Sequence, residues 1–203
     1  TSWTVTVNSS TVPARVGGNA GVVNVLKKGG IAIRKADEAG NALSGVKFGV
    51  FTDYGCTNQI AEIETDGNGI AYYGVSNGSY TLRHGDTYYF KETATKSSAY
   101  IPVDTVYPVT VVHSTITYGN GNSEVINNVK RGSLEVIKTS EDNMVAGVQF
   151  RLTGTSDVGE PVDMTATTDA SGRAVFENVL VGSNYTIEEV NTAQKYVVPS
   201  VQN

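Results

Sequence analysis

Gly29-Gly-Ile-Ala-Ile-Arg-Lys35 returns as Gly132-Ser-Leu-Glu-Val-Ile-Lys138, a shift of 138 − 35 = 103 positions in a chain of 203 residues. In both copies apolar side chains alternate and lead to a lysine of the same parity: Ile31 and Ile33 before Lys35, Leu134 and Val136 before Lys138. Side chains two apart share one face of a strand, so each copy reads as a strand that carries its lysine on the core side. Val22-Val-Asn24 and Val125-Ile-Asn127 repeat at the same shift. A period this long marks a tandem array of domain-sized units.

The flanking sequence fits strands throughout. Val46, Phe48 and Val50 alternate, as do Val148, Phe150 and Leu152, and turn residues separate such runs at Asp66-Gly-Asn-Gly69, Asn77-Gly78, Asn120-Gly121 and Asp169-Ala-Ser-Gly172. No segment holds a 3.6-residue apolar period. The expected fold is all-β, a tandem of Ig-like or transthyretin-like β-sandwich modules.

Aligning the units also sets expected boundaries. Gly45-Val-Lys-Phe48 matches Gly147-Val-Gln-Phe150, Thr65-Asp-Gly-Asn-Gly69 matches Thr168-Asp-Ala-Ser-Gly172, and Tyr88 to Tyr100 matches Tyr185 to Tyr196. Residues 3 to 35, which start Trp-Thr-Val-Thr-Val, match residues 107 to 138, which start Tyr-Pro-Val-Thr-Val. Residues 1–28 therefore read as the terminal strands of a preceding module, 29–131 as a complete module, and 132–203 as a module without its own last strand. The chain has neither signal peptide nor anchoring signal and reads as a mature or excised piece.

Composition removes several function classes. A net charge of −5 with 15 Lys and Arg provides no concentrated basic face for nucleic acid. No run of 18 apolar residues exists for membrane insertion. His84 and His113 lack clustered acidic or thiol partners, so neither a metal site nor a cofactor is expected. The one cysteine, Cys56, excludes an internal disulfide and reads as incidental. The sequons at Asn8, Asn77 and Asn184 read as turn and strand residues.

Parity singles out two further residue types. Glu92 follows Tyr88 and Phe90, and Glu189 follows Tyr185 and Ile187, which separates Glu189 from its neighbour Glu188. Asn127 lies between Val125 and Val129, whereas Asn128 has Lys130 on its parity. Burying a lone Lys, Glu and Asn is costly, so all three on core faces imply a compensating arrangement. Desolvation drives the lysine toward its neutral, nucleophilic amine and the glutamate toward its acid form. A carboxyl hydrogen-bonded to the amide carbonyl oxygen could then shuttle protons while Lys Nζ attacks Asn Cγ and ammonia leaves. The ordinary alternative is a cross-strand Lys–Glu pair with the Asn capping a turn.

Tyr88-Tyr-Phe-Lys-Glu92 to Tyr100 and Tyr185-Thr-Ile-Glu-Glu189 to Tyr196 resemble the E-box of collagen-adhesin B-type (CnaB, SpaA-like) domains of Gram-positive pilins and surface adhesins. The strand ending in Lys, the Thr-Asp-x-x-Gly turn and the Val-x-Asn exit are similar to that family too. The resemblance implies a transthyretin-like sandwich on an extracellular, cell-wall-attached surface and a spontaneous Lys–Asn isopeptide bond assisted by Glu. It assigns Lys35, Glu92 and Asn127 to one complete set. The second unit supplies Lys138 and Glu189, with Asn24 as the unmatched carboxamide. The first E-box departs from the usual Ala-Pro-x-Gly before its second Tyr, and Tyr107-Pro108 continues with Val109 where a polymerising lysine would stand.

The expected role is structural: stalk or shaft modules that cross-link themselves and turn over no external substrate. The alternative is a module that binds a host matrix protein or glycan. Expected partners are other modules of the same surface protein, and residues 1–26 are expected to donate strands to the second module of a neighbouring molecule.

Overall fold

The computed structural model describes residues 24–191 together with Ser2, Thr4 and Thr6. The strands expected within residues 3–23, and Tyr196, lie outside the described residues. Every regular element among those described is a strand. The first half contains β1 (Lys28–Asp37), β2 (Lys47–Phe51), β3 (Gln59–Glu64), β4 (Ile70–Tyr73), β5 (Val75–Ser76) and β6 (Ser79–Tyr80). It continues with β7 (Leu82–Arg83), β8 (Thr87–Ala94), β9 (Val106–Thr110), β10 (Ile116–Tyr118) and β11 (Val125–Asn127). The second half contains β12 (Arg131–Ile137), β13 (Gln149–Thr155), β14 (Pro161–Thr167), β15 (Arg173–Leu180) and β16 (Asn184–Asn191).

Two sheets enclose the first core. One runs β3-β2-β8-β9; in the other, β1 is antiparallel to β4 and β7 and parallel to β10 and β11. Ile31, Ile33, Val46, Phe48, Val50, Phe90 and Val111 are sealed between them. The second core is built the same way from β12-β15 and β14-β13-β16, around Phe150, Leu152, Ala174 and Phe176. The sandwich pair is therefore the architecture that the alternation implies.

The repeat extends to register. Ile31 pairs with Tyr73 and Leu134 with Phe176, both partners displaced by the same 103 positions. Phe48 stands opposite Glu92 and Phe150 opposite Glu189, and each pair adjoins a register shift in the ladder. Such bulges re-aim side chains locally.

The Thr-Asp-x-x-Gly turn explains how the lysine strands are held. Asp66 Oδ1 accepts hydrogen bonds from Asn68 N and Ile70 N, and Asp169 Oδ1 accepts from Ser171 N and Arg173 N. The buried Thr65 hydroxyl donates to Leu43 O at 2.7 Å and accepts from Val46 N; Thr168 repeats this with Val145 O and Val148 N. Closing each turn, Gly69 O receives the Lys35 N–H at 2.8 Å and Gly172 O the Lys138 N–H at 2.7 Å. Both glycines have left-handed backbones, with φ of 71° and 80°, and a Cβ on either would overlap the carbonyl of the lysine it anchors.

In β1 burial departs from simple alternation. Ala32 and Ala36 are as buried as Ile31 and Ile33, because β1 is the central strand of its sheet and its small residues lie under neighbouring structure.

Gly69→Ala is expected to lower stability by at least about 1–2 kcal/mol, the cost of a left-handed non-glycine residue before any clash. A urea-unfolding midpoint unchanged from wild type would contradict this account of the turn.

Candidate functional site

Strands β1 and β11 carry a buried amine and a buried carboxamide two register positions apart. The strands run parallel with Lys35 opposite Val125 and Asp37 opposite Asn127. Lys35 is 1% exposed, Asn127 0% and Glu92 8%. Glu92 arrives from β8 in the opposite sheet, where it stands across from Phe48. All three side chains are thus enclosed between the two layers. Asn128, the neighbour rejected on parity, is exposed.

Lys35 Nζ donates to Val125 O at 2.7 Å and, more weakly, to Ala36 O at 3.4 Å, and lies 3.8 Å from Glu92 Oε2. Asn127 Nδ2 donates to Ile101 O at 2.8 Å and faces both Glu92 oxygens at 3.1 and 3.2 Å. Glu92 Oε1 also accepts from Val103 N at 3.3 Å. Glu92 is therefore in direct contact with both other members of the trio.

Burial pushes the Lys35 amine down from its usual 10.5 to about 8, against the opposing pull of the negative charges on Glu92 and Asp37. About a tenth of the amine is then neutral at pH 7, a fraction far above that of a solvated lysine.

The carboxamide orientation differs from the sequence expectation. A carboxyl donating to the amide carbonyl oxygen was expected; instead Glu92 faces Nδ2, and Oδ1 is buried without a hydrogen-bond partner. The cause is Ile101 O, an acceptor that must meet the NH₂ end of the carboxamide. This loop contact follows no strand period and gives no sequence signal. Chemically, it sets the carboxyl beside the nitrogen that would leave, where a proton is needed.

In the second unit, Lys138 Nζ donates to Glu189 Oε2 at 3.0 Å, with side-chain exposures of 16% and 4%. Glu188 is exposed. Asn24 is exposed and is not part of this pair among the described contacts.

The remaining candidates stay apart from this chemistry. Cys56 sits in the loop after β2, where burial raises its thiol pKa above the ordinary value. His84 Nδ1 meets Val111 O, and His113 contacts the Ser114 hydroxyl. Among the described residues no group of three or more His, Cys, Asp or Glu side chains could hold a metal. No helix is long and apolar enough to cross a membrane.

Two prealbumin-like sandwiches in tandem, each with a lysine strand facing a glutamate strand, define a class of β-repeat protein. The chain belongs to the SpaA prealbumin-like fold domain family, whose profile matches residues 29–123 and again 132–202. Among solved structures, the Bacillus anthracis TIE protein is similar at 23% identity with a TM-score of 0.64, over 85% of this chain and 30% of that one. The C-terminal fragment of the pilus adhesin SpaC from Lactobacillus rhamnosus GG matches at 16% identity and TM-score 0.46, over 81% of this chain and 76% of that one. A streptococcal ancillary pilin matches at 18% identity and TM-score 0.41, over 94% of this chain and 59% of that one. The chain thus spans less than a third of the TIE protein and about three-fifths of the ancillary pilin. No curated protein matches the sequence.

With Asn127→Ala as background, so that no cross-link can form, adding Glu92→Ala is expected to cost about 1–2 kcal/mol at pH 7, because Lys35, already lowered to about 8, loses its counter-ion and gives up its remaining charge. Urea unfolding of the single and double variants measures the difference; a loss under about 1 kcal/mol would show that the pair is not the compensating contact.

Proposed function

We propose that this chain forms stalk or shaft modules of a Gram-positive cell-surface adhesin or pilus, and that residues 29–131 form one complete module stiffened by a Lys35–Asn127 isopeptide bond. The observation that carries the reading is the enclosed trio: an amine lowered to about 8, a carboxamide and a carboxyl in one core. Family membership and the pilin and adhesin relatives support the same role and an extracellular, wall-attached location. Residues 132–203 are the second module, and residues 1–28 are terminal strands of a further one.

In the proposed reaction neutral Lys35 Nζ attacks Asn127 Cγ. Its proton passes to Glu92, which returns it to Nδ2 as the Cγ–Nδ2 bond breaks and ammonia departs. Enclosure between the sheets holds the partners together, which supplies proximity and excludes competing water. The carboxyl is restored at the end and the lysine and asparagine are consumed, so the chemistry is a single self-directed event and not turnover.

The mechanical consequence follows from topology. Load entering along β1 would pass at Lys35 straight to Asn127 and leave along the chain toward β12. The 91 residues between them would carry no tension. Constraining a loop of that size would also stabilise the fold by about 4–5 kcal/mol in the loop-entropy treatment used for disulfides.

A second reading, recognition of a host protein or glycan, has one favourable observation: Tyr54, 67% exposed, stacks edge-on against Tyr89 at 5.9 Å and offers a small aromatic platform. Loss of glycan or matrix-protein binding in Tyr54→Ala would support it.

Intact mass tests the main reading. The expected loss is about 17 Da, one ammonia for the bond, with a branched tryptic peptide joining Lys35 to Asn127; both vanish in Asn127→Ala, and an unchanged wild-type mass rejects the bond. For chain refolded from the fully unfolded state, the rate of bond formation should rise about tenfold per pH unit below pH 8 and level off above it, as the neutral amine becomes the major form. A rate independent of pH from 6 to 8 would remove the free amine from the mechanism.

A further inference from the structure

The chain between β8 and β9 touches two of the three buried groups at once. Ile101 O accepts from Asn127 Nδ2 at 2.8 Å, and Val103 N donates to Glu92 Oε1 at 3.3 Å. One residue, Pro102, separates that carbonyl from that N–H. The Ile101 side chain is 47% exposed, so its place in the site is owed to its backbone. The two contacts also divide the glutamate's oxygens. Oε1 is held by Val103 N, while Oε2 is the oxygen that lies 3.8 Å from Lys35 Nζ. Asn127 Nδ2 faces both, at 3.1 and 3.2 Å.

The segment is pinned on either side of these contacts. Before the proline, the buried Tyr100 bridges to Val129, Ile101 N donates to Asn128 O at 2.8 Å, Lys130 N donates to Ala99 O at 2.8 Å, and Lys130 Nζ donates to Ser98 O at 2.7 Å. After it, Val103 packs on the first core and Asp104 pairs with Lys91 at 2.7 Å. The residues that follow Asn127 therefore hold in place the segment that presents Ile101 O to it. Pro102 stiffens the middle of that frame. Its ring fixes φ at about −65° and biases the preceding residue toward extended backbone. In extended backbone the C=O of one residue and the N–H two residues on point to the same side, which is where Asn127 and Glu92 lie. Pro102 has no N–H of its own, so it adds no donor that competes for the buried oxygens.

We propose that Pro102 is a positioning residue for the cross-link: by fixing the spacing between Ile101 O and Val103 N, it turns the leaving nitrogen of Asn127 toward the Glu92 carboxyl and keeps Oε2 free for the lysine proton. The inference rests on the Lys35–Asn127 chemistry proposed above and adds what sets its rate. Oε2 faces both Nζ and Nδ2, so it takes the proton from the attacking amine and passes it to Nδ2 as the Cγ–Nδ2 bond breaks and ammonia departs. Pro102 contributes no reacting atom and acts through the backbone groups of its two neighbours. The amine's lowered pKa has other causes, its own burial against the charges of Glu92 and Asp37, so releasing the segment changes the rate and not the pH at which the amine becomes neutral.

The test times the loss of about 17 Da in full-length wild type, Pro102→Ala and Pro102→Gly between pH 6 and 10, after refolding from the fully unfolded state, with near-UV circular dichroism to establish that each chain has refolded. Pro102→Gly is expected to lower the plateau rate at least about tenfold, since a misplacement on the order of 1 Å costs that much or more. Pro102→Ala should fall about threefold or more by the same argument, and it carries the test should the glycine variant fail to fold. In every chain the rate should still level off at about pH 8. A merely structural proline gives a different pattern, because a loosened core solvates Lys35 and moves the levelling up toward the ordinary 10.5. Two outcomes overturn the proposal alone: wild-type plateau rates in the folded variants, or slower rates whose levelling has moved up. Wild-type chain that loses no ammonia and yields no Lys35–Asn127 branched peptide overturns the cross-linking reading, and the positioning role falls with it.

Discussion

The interaction on which the first unit depends is the enclosure of Lys35 with Glu92 and Asn127. A lysine with 1% exposure in the middle of a sandwich core is among the most costly residues a small domain can bury. Its surroundings offset that cost piece by piece: Val125 O accepts a hydrogen bond from the ammonium, Glu92 supplies an opposing charge, and the lowered pKa eases loss of the proton. The last route is the one that matters for the proposed bond, because the neutral amine that desolvation favours is the nucleophile that bond would need. The strand pairing around it, with β1 central and β11 parallel to it, sets the amine and the carboxamide two register positions apart in the same core.

The internal repeat provides a comparison within one molecule. Both units keep the Thr hydroxyl clamp, the Asp turn and the glycine that receives the lysine N–H, and both set their glutamate across from a phenylalanine next to a bulge. Among the described residues they differ where β10 and β11 pair with β1. Lys138 and Glu189 form a direct ion pair at 3.0 Å, whereas Lys35 and Glu92 stand 3.8 Å apart with the carboxamide against the same carboxyl. In the first unit the glutamate divides its contacts between amine and amide, the arrangement that the proposed proton relay would use.

Much of this was legible from residue order because strand parity and the repeat are independent signals that select the same positions. Glu189 was separable from Glu188, and Asn127 from Asn128, on alternation alone, and the burial of each pair follows that choice. Parity failed where a small residue is flanked by large ones on paired strands: nothing in Ile31-Ala-Ile-Arg-Lys35 says that Ala32, set between Tyr72 and Tyr118, is as buried as its neighbours. The carboxamide orientation was illegible for a related reason. It is set by one carbonyl, Ile101 O, in a loop without period, so the sequence names the reacting groups but not the direction in which the amide faces the acid.

A cross-link of this kind suits a chain with a single cysteine. A disulfide needs two thiols and an oxidant, whereas the proposed bond draws both partners and its proton carrier from the core itself. It also ties covalent closure to correct folding. In an unfolded chain Lys35 is solvated and protonated near its ordinary 10.5, and Asn127 is on average far from it; only the packed sandwich lowers the amine and brings the three groups together. The proposed reaction would therefore be available to the folded state and denied to its competitors. Once made, the proposed bond would remove the open chain from the denatured ensemble, so the conformation that performs the chemistry would be the one the chemistry makes permanent.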